Sequence, residues 1–247
     1  DYGLIRVLES YKTLNDIMDE KGWEKGRGFE ISNPLEYTDF EIKNIPFISP
    51  EKATRFFTTK EKTDKIARTG FRRLGNRAAY KAPHVIIKKG QSDSKFCSSF
   101  LDYDCSFGTG LYGIHKDNEE VNLKVITGFL NSRLAEYLML LLTGNWGIER
   151  EQFMPTEILN LPDLCFSLPE AAKKEIVGYV DEIIAIRKQE PEAVFLDIGK
   201  EIAVFEQKIE NAFRQALNLS ETDQILIDDL LNYQLDAFQS GEKILYL

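Results

Sequence analysis

The stretch 121–147, VNLKVITGFLNSRLAEYLMLLLTGNWG, constrains this chain most. Leu123, Ile126, Leu130, Leu134, Tyr137, Leu138 and Leu141 recur every three or four positions, which is the spacing of one helix face. After Leu134 the run is apolar nearly all round, so such a helix must be covered on several sides. The string Gly-Phe-Leu-Asn-Ser-Arg at 128–133 interrupts it, and Gly144 is placed to stop it. The window 125–142 approaches the length of a membrane span, but it contains Arg133 and Glu136 and is read as a core helix. With 43% hydrophobic residues in 247, the chain can build a real core around that helix.

The flanks differ in kind. Positions 2–19 carry Leu4, Val7, Leu8, Tyr11, Leu14 and Ile17 at helical spacing. Three glycines at 22–28 break that pattern, and 31–50, with Pro34, Pro46 and Pro50, reads as extended and irregular. Strands are expected at 85–88, within 95–107 and at 111–115, bounded by Pro83, Gly90, Gly108 and Gly110. Beyond the central helix, 149–164 reads as extended. Helices follow at 169–187 and 193–217, and a third starts at Ser220, where Ser-Glu-Thr-Asp has the form of a capping box. The expected class is α+β, a mixed sheet with a long buried helix and a helical tail. The expected division is 1–50 (helix and linker), 51–168 (sheet domain) and 169–247 (helical region).

The net charge of −9 conceals an asymmetry. Between Lys52 and Lys95 there are thirteen Lys/Arg against Glu61, Asp64 and Asp93, a local charge of +10. From Glu149 onward there are twenty acids and nine bases, a charge of −11. Phosphate neutralisation is a local effect, so the basic stretch suits a polyanion despite a pI near 5.0. Two other readings stay open: a solvated face, or a basic face docked on the acidic half of the same chain. Three cysteines and two histidines have neither disulfide-ladder nor metal-site spacing, which fits a reduced, cytoplasmic protein. The chain begins at Asp1 without Met and has no signal peptide, so it is read as part of a longer protein.

Motifs that suggest catalysis are incomplete. Gly108-Thr109-Gly110-Leu111-Tyr112-Gly113 fits G-x-G-x-x-G, but a cofactor loop needs a helix to start at its last glycines, and here a strand is expected. Asn33-Pro34-Leu35-Glu36-Tyr37 approaches the Asn-Pro-Pro-aromatic motif of amino-methylating DNA enzymes, with Leu35 and Glu36 out of pattern. Glu41-Ile42-Lys43 and Glu206-Gln207-Lys208 match only the end of a nuclease metal site. No residue is assigned a catalytic role or a metal.

The basic stretch is the better candidate. Arg68, Arg72, Arg73, Arg77 and Lys81 alternate with Phe71, Asn76 and Tyr80. Guanidinium groups bind phosphate or fork onto guanine, amides pair with adenine, and aromatic rings stack, so this mixture suits a base-reading surface. Lys88 and Lys89, at the end of an expected strand, suit phosphate anchoring, and Asn145 and Trp146 at the helix end are a secondary candidate pair.

The string GFLNSRLAEYLMLLLTGNWGIEREQFMPTEILNLPDL resembles the target recognition domains of restriction–modification proteins. Their Leu-Asn-Ser-x-Leu-x-x-Tyr helix corresponds to Leu130, Asn131, Ser132, Leu134 and Tyr137. Their Trp turn corresponds to Trp146, and their Ile-x-x-Leu-Pro step to Ile158, Leu161 and Pro162. The segment 80–90 is similar to the family's aromatic-x-x-Pro-x-hydrophobic strand, and 209–230 to its helix–Leu-Ser/Thr-Glu–helix. The resemblance covers about 81–230. It implies a module that reads a short double-stranded DNA sequence for an N6-adenine DNA methyltransferase, with or without a fused nuclease. It also implies S-adenosylmethionine as methyl donor for the parent protein and a catalytic methyltransferase domain earlier in the same longer chain. No membrane partner is expected, because no apolar run reaches span length without charge. The alternative from the residues alone is an assembly module. Its tail would dock a partner through Ile202, Phe205, Ile209 and Phe213. Asn131 and Arg133 are expected to be structural.

Overall fold

The computed structural model describes residues 11–66, 70–90, 95–143, 153–189 and 195–240. Nine short strands form among them: β1 (Glu24–Arg27), β2 (Tyr37–Thr38), β3 (Phe47–Ile48), β4 (Phe56–Phe57), β5 (Gly70–Phe71), β6 (His84–Lys88), β7 (Ser98–Leu101), β8 (Ser106–Phe107) and β9 (Leu111–His115). Five of them make one sheet in the order β1-β9-β6-β7-β4. All its pairings are antiparallel except that of β4 with β7. β2 pairs antiparallel with β5, and β3 parallel with β8.

The central strands are buried on both faces, and their side chains sort by parity. Val85, Ile87, Phe100 and Ile114 join the larger core, which the helices cover. Ile86, Leu101 and Leu111 join a second core with Phe29, Ile42, Ile48, Phe71 and Phe107, built from the N-terminal half. Residues of 1–50 thus contribute β1 to the sheet and Phe29, Ile42 and Ile48 to the second core. Strand β1 escapes a sequence reading because Glu-Lys-Gly-Arg has no β-forming side chain. It lies at the sheet edge, where charged residues oppose further pairing.

The helices are α1 (Leu14–Glu20), α2 (Phe40–Asn44), α3 (Glu120–Leu130), α4 (Arg133–Leu142), α5 (Pro155–Leu159), α6 (Glu170–Gln189), α7 (Phe195–Ala216) and α8 (Glu221–Ser240). The expected helix at 2–19 appears as α1, and 1–10 lie outside the described residues. α1 is tied to the segment after α5: Leu14 N–H donates to the Leu161 carbonyl at 2.9 Å, and Asp163 N–H to that of Lys12 at 2.7 Å.

The long central helix is two helices bent by 68° between α3 and α4. The cause is the Asn131-Ser132 pair. Ser132 caps α4, its Oγ accepting from Ala135 N–H at 3.2 Å. The Asn131 side chain turns inward to the sheet, where its Nδ2 donates to the Ser98 carbonyl at 2.9 Å and its Oδ1 accepts from Ser98 N–H at 3.0 Å. Arg55 donates to the Asn131 carbonyl. Leu130, Leu134 and Tyr137 are buried around this pivot, and the stop expected at Gly144 lies outside the described residues. Among the described residues, no single helix is long and apolar enough to cross a membrane.

α3 lies between the sheet and the tail. At Gly128 an added Cβ would stand 3.1 Å from Ile176 Cγ2 on α6 and 3.4 Å from Ile209 Cγ2 on α7, so the missing side chain lets the three helices approach. Ile202, Ile209 and Phe213 are buried in the chain's own core, with the Phe129 and Phe213 rings 5.7 Å apart. α8 begins as the capping box predicts: Asp223 N–H donates to Ser220 Oγ at 3.1 Å, and Ser220 N–H to Asp223 Oδ2 at 3.0 Å. A partly buried ion network joins α7 and α8. In it Arg214 meets Glu210 at 2.8 Å and Asp228 at 2.8 Å.

Candidate nucleic-acid interface

The basic stretch divides into two groups. Arg55, largely buried, and Lys95, half exposed, reach the acidic tail and share Glu206 of α7, at 2.8 and 3.5 Å. They line a polar cavity of about 240 Å³ with Asn131, Arg133, Glu136 and Glu210. Burial raises the pKa of Glu136 against the opposing effects of Arg55 and the Phe96 N–H. Docking onto the acidic half is thus real for these two cations.

Arg72, Arg73 and Arg77 lie elsewhere, on the second core's outer side. Arg72 meets Glu30 Oε1 at 3.0 Å, and Arg73 meets Glu30 Oε2 at 3.6 Å. Arg77 meets Asp39 at 2.9 Å and Glu41 at 3.4 Å. Their side chains stay 44, 67 and 51% exposed, so each guanidinium is positioned by a carboxylate while remaining open to an incoming anion. The backbone here is also fixed: Arg72 N–H donates to the Glu30 carbonyl at 2.8 Å, and Glu30 N–H to that of Arg73 at 2.9 Å.

Two members of the predicted surface are structural instead. Asn76 caps the 3₁₀ turn Arg77–Tyr80, its Oδ1 accepting from Ala78 N–H at 3.0 Å. Its Nδ2 donates to Glu24 and to the Lys25 carbonyl, both at 3.1 Å, so its amide is fully engaged. Tyr80 is 2% exposed. Its ring packs edge-on against Phe107 at 4.8 Å, and its hydroxyl donates to the Leu74 carbonyl at 2.9 Å. Burial raises its pKa well above the tyrosine range. A ring held inside the core presents no face to a base, which corrects the stacking role expected for Tyr80.

Lys81 is exposed just after that turn. Lys88 ends β6 and Lys89 follows it. Lys89 N–H donates to the Gly110 carbonyl at 3.1 Å, and partial burial, with a smaller effect from Arg27, lowers its ammonium pKa. Arg27 is a residue that the sequence does not single out. It is exposed at the end of β1, and its carbonyl accepts from Asn76 N–H at 3.2 Å, so it stands between Lys89 and the Asn76 turn. Only its distance of 25 positions from the start of the basic stretch at Lys52 hides it. Arg68, Asn145 and Trp146 lie outside the described residues.

The near-motifs resolve as local structure. The Gly108–Gly110 segment is the turn from β8 to β9, closed by Leu111 N–H on the Gly108 carbonyl at 3.0 Å, and it runs into a strand. Glu206 of Glu-x-Lys is paired with Arg55, and Ile42 of the other copy is buried. Among the described residues no group of three or more His, Cys, Asp or Glu could hold a metal ion, and the three cysteines are free and buried.

No protein-family model matches this chain, and no curated protein is a significant match. Solved structures do match. The Type IIL restriction-modification enzyme MmeI, solved in complex with DNA, aligns over 86% of this chain and 36% of its own, with a TM-score of 0.50 and 11% identity. The HsdS subunit of Thermoanaerobacter tengcongensis aligns over 92% of this chain and 44% of its own at TM-score 0.38 and 14% identity. A chain of a type I R-M system aligns over 81% and 50% at TM-score 0.34 and 14% identity. The last two scores do not establish a shared fold. This chain spans about a third of the length of MmeI, and what the two have in common is the fold of that part.

Proposed function

We propose that this chain is the double-stranded-DNA recognition module of a restriction–modification N6-adenine methyltransferase and carries no active site of its own. The observation that carries the reading is the exposed face of Arg72, Arg73 and Arg77, with Arg27 and Lys81 nearby in the chain's fold, each arginine of the trio steadied by a carboxylate. The fold supports it: the matching part of MmeI belongs to a restriction–modification enzyme solved on DNA. In the parent protein a catalytic methyltransferase domain in the same longer chain would use S-adenosylmethionine. The bases read by this face would set where it acts. Lys88 and Lys89 serve as phosphate anchors in this scheme, and Arg68, Asn145 and Trp146 remain candidates from the sequence.

The assembly reading loses its main motive, because Ile202, Ile209 and Phe213 are buried against the chain's own helices. A salt titration of duplex binding tests the DNA reading. Affinity should fall linearly on a log–log plot, and Arg72→Ala with Arg73→Ala should reduce the slope by about one for each phosphate no longer neutralised. A flat dependence for the unmodified chain overturns it.

A further inference from the structure

We infer that Tyr37 is a wedge that enters a base step of the bound duplex and sets the preference at that step, an inference that rests on the DNA reading above. Three of the chain's exposed large hydrophobic side chains fall within seven residues: Ile31 at 38%, Leu35 at 47% and Tyr37 at 50%. All of 33–38 is exposed. A solvent-facing apolar edge of this kind is usually a contact surface.

Its surroundings say for what. The carboxylates that hold the three arginines flank this segment: Glu30 immediately before it carries Arg72 and Arg73, and Asp39 and Glu41 just after it carry Arg77. The apolar edge is therefore bracketed by guanidinium–carboxylate pairs. It is also anchored to the arginine segment. β2 pairs with β5 in the register Tyr37↔Phe71, Glu36 N–H donates to the Phe71 carbonyl at 3.0 Å, and Phe71 directly precedes Arg72. Phe71 itself is fully buried against Phe29, with ring centroids 5.1 Å apart. At Gly70 an added Cβ would stand 2.9 Å from Leu35 Cδ1, so the ribbon lies flat beneath Leu35.

Around this edge the guanidinium groups of Arg72, Arg73 and Arg77 alternate with the carboxylates of Glu30, Asp39 and Glu41. A duplex supplies phosphates for the arginines and stacked bases for the ring. Apolar side chains that enter a base step unstack it, and pyrimidine–purine steps yield at the least cost. The wedge thus favours such a step without any hydrogen bond to a base edge.

The test uses the full chain and a duplex pool with a random 20-base-pair core. The unmodified chain should enrich a sequence containing a pyrimidine–purine step, and 2-aminopurine placed at that step should brighten on binding. Tyr37→Phe should keep both behaviours. Tyr37→Ala should bind the enriched duplex about tenfold more weakly, with unchanged salt slope and no brightening. Leu35→Ser should weaken binding less. Far-UV circular dichroism confirms that the variants fold. If Tyr37→Ala binds and brightens like the unmodified chain while binding stays salt-dependent, the wedge is wrong and the recognition reading stands. If the unmodified chain shows no salt-dependent binding, both are overturned.

Discussion

The Asn131 side chain completes the backbone of Ser98, donating to its carbonyl and accepting from its N–H at 2.9 and 3.0 Å. Ser98 lies one residue before β7 begins pairing with β4 at Ser99, so the amide satisfies a buried peptide group beyond the end of that pairing. Asn131→Ala leaves donor and acceptor unmet, each costing about 1–3 kcal/mol. A loss of about 2–4 kcal/mol is expected, as a lower urea midpoint with unchanged m. Asn131→Asp keeps the acceptor but loses the donor, so it should not rescue.

Gly128 gives a graded test of the approach of α3 to the tail. Gly128→Ala gains about 1 kcal/mol of helix propensity and meets Ile176 at 3.1 Å, so its net effect should be small. Gly128→Val cannot be accommodated without moving Ile176, Ile209 or Val180 and should destabilise by about 1–3 kcal/mol. Thermal unfolding of the pair shows whether the approach of α3 to α6 and α7 is as tight in solution.

Among the described residues, Arg214 is the only cation paired with Glu210, a carboxylate 3% exposed. Arg214→Met should cost about 3–5 kcal/mol by leaving that charge buried and unpaired. Adding Glu210→Leu should recover most of the loss, since Asp228 is 43% exposed and keeps access to water. A double-mutant cycle measured by denaturation reads the coupling directly.

His84 should make the fold acid-sensitive. Complete burial pushes its imidazole down to about 4 from 6.5, outweighing the Ala79 and Tyr103 carbonyls at its two nitrogens, which favour the protonated ring. The unfolded chain takes up this proton near pH 6.5 and the folded one only near 4. The contribution is therefore full above pH 6.5, falls as pH drops toward 4, and levels off below. The loss over that window is about 3 kcal/mol, at roughly 1.4 kcal/mol per unit. His84→Asn should flatten stability against pH between 6.5 and 4 relative to the unmodified chain.

Glu30 competes with phosphate for two arginines on the proposed interface. Glu30→Gln should raise duplex affinity roughly threefold to tenfold at low salt. It should change stability by less than about 1 kcal/mol, since the pairs are solvent-exposed. Fluorescence anisotropy at two salt concentrations would check it, and weaker binding would mean that the positioning of the arginines by Glu30 outweighs its competition with phosphate.

What can be read from the sequence follows from how local each signal is. The limits of β9 and the cap of α8 rest on neighbours in sequence, and both agree with the residues expected for them. The interruption at Asn131-Ser132 is visible in the string, but the 68° bend is not, because it depends on Ser98, 33 residues away. The polar edge strand β1 carries no β signature at all. At the site, the arginines are legible as charge. Their carboxylate partners lie 36 to 43 residues distant, so their posture is not. Tyr80 and Tyr37 look alike in a one-dimensional string, and only the second core decides that one ring is interior and the other half exposed.

The position of α3 has a thermodynamic consequence. One of its faces belongs to the sheet and another to α6 and α7, so neither layer can open without exposing the same helix. Opening equilibria in the two layers are then linked, and a ligand held by the arginines draws down both. Amide hydrogens in α7, on the side of the molecule away from the arginine face, should exchange more slowly once that face is occupied. The shared helix makes the tail a reporter of events at the other side of the sheet.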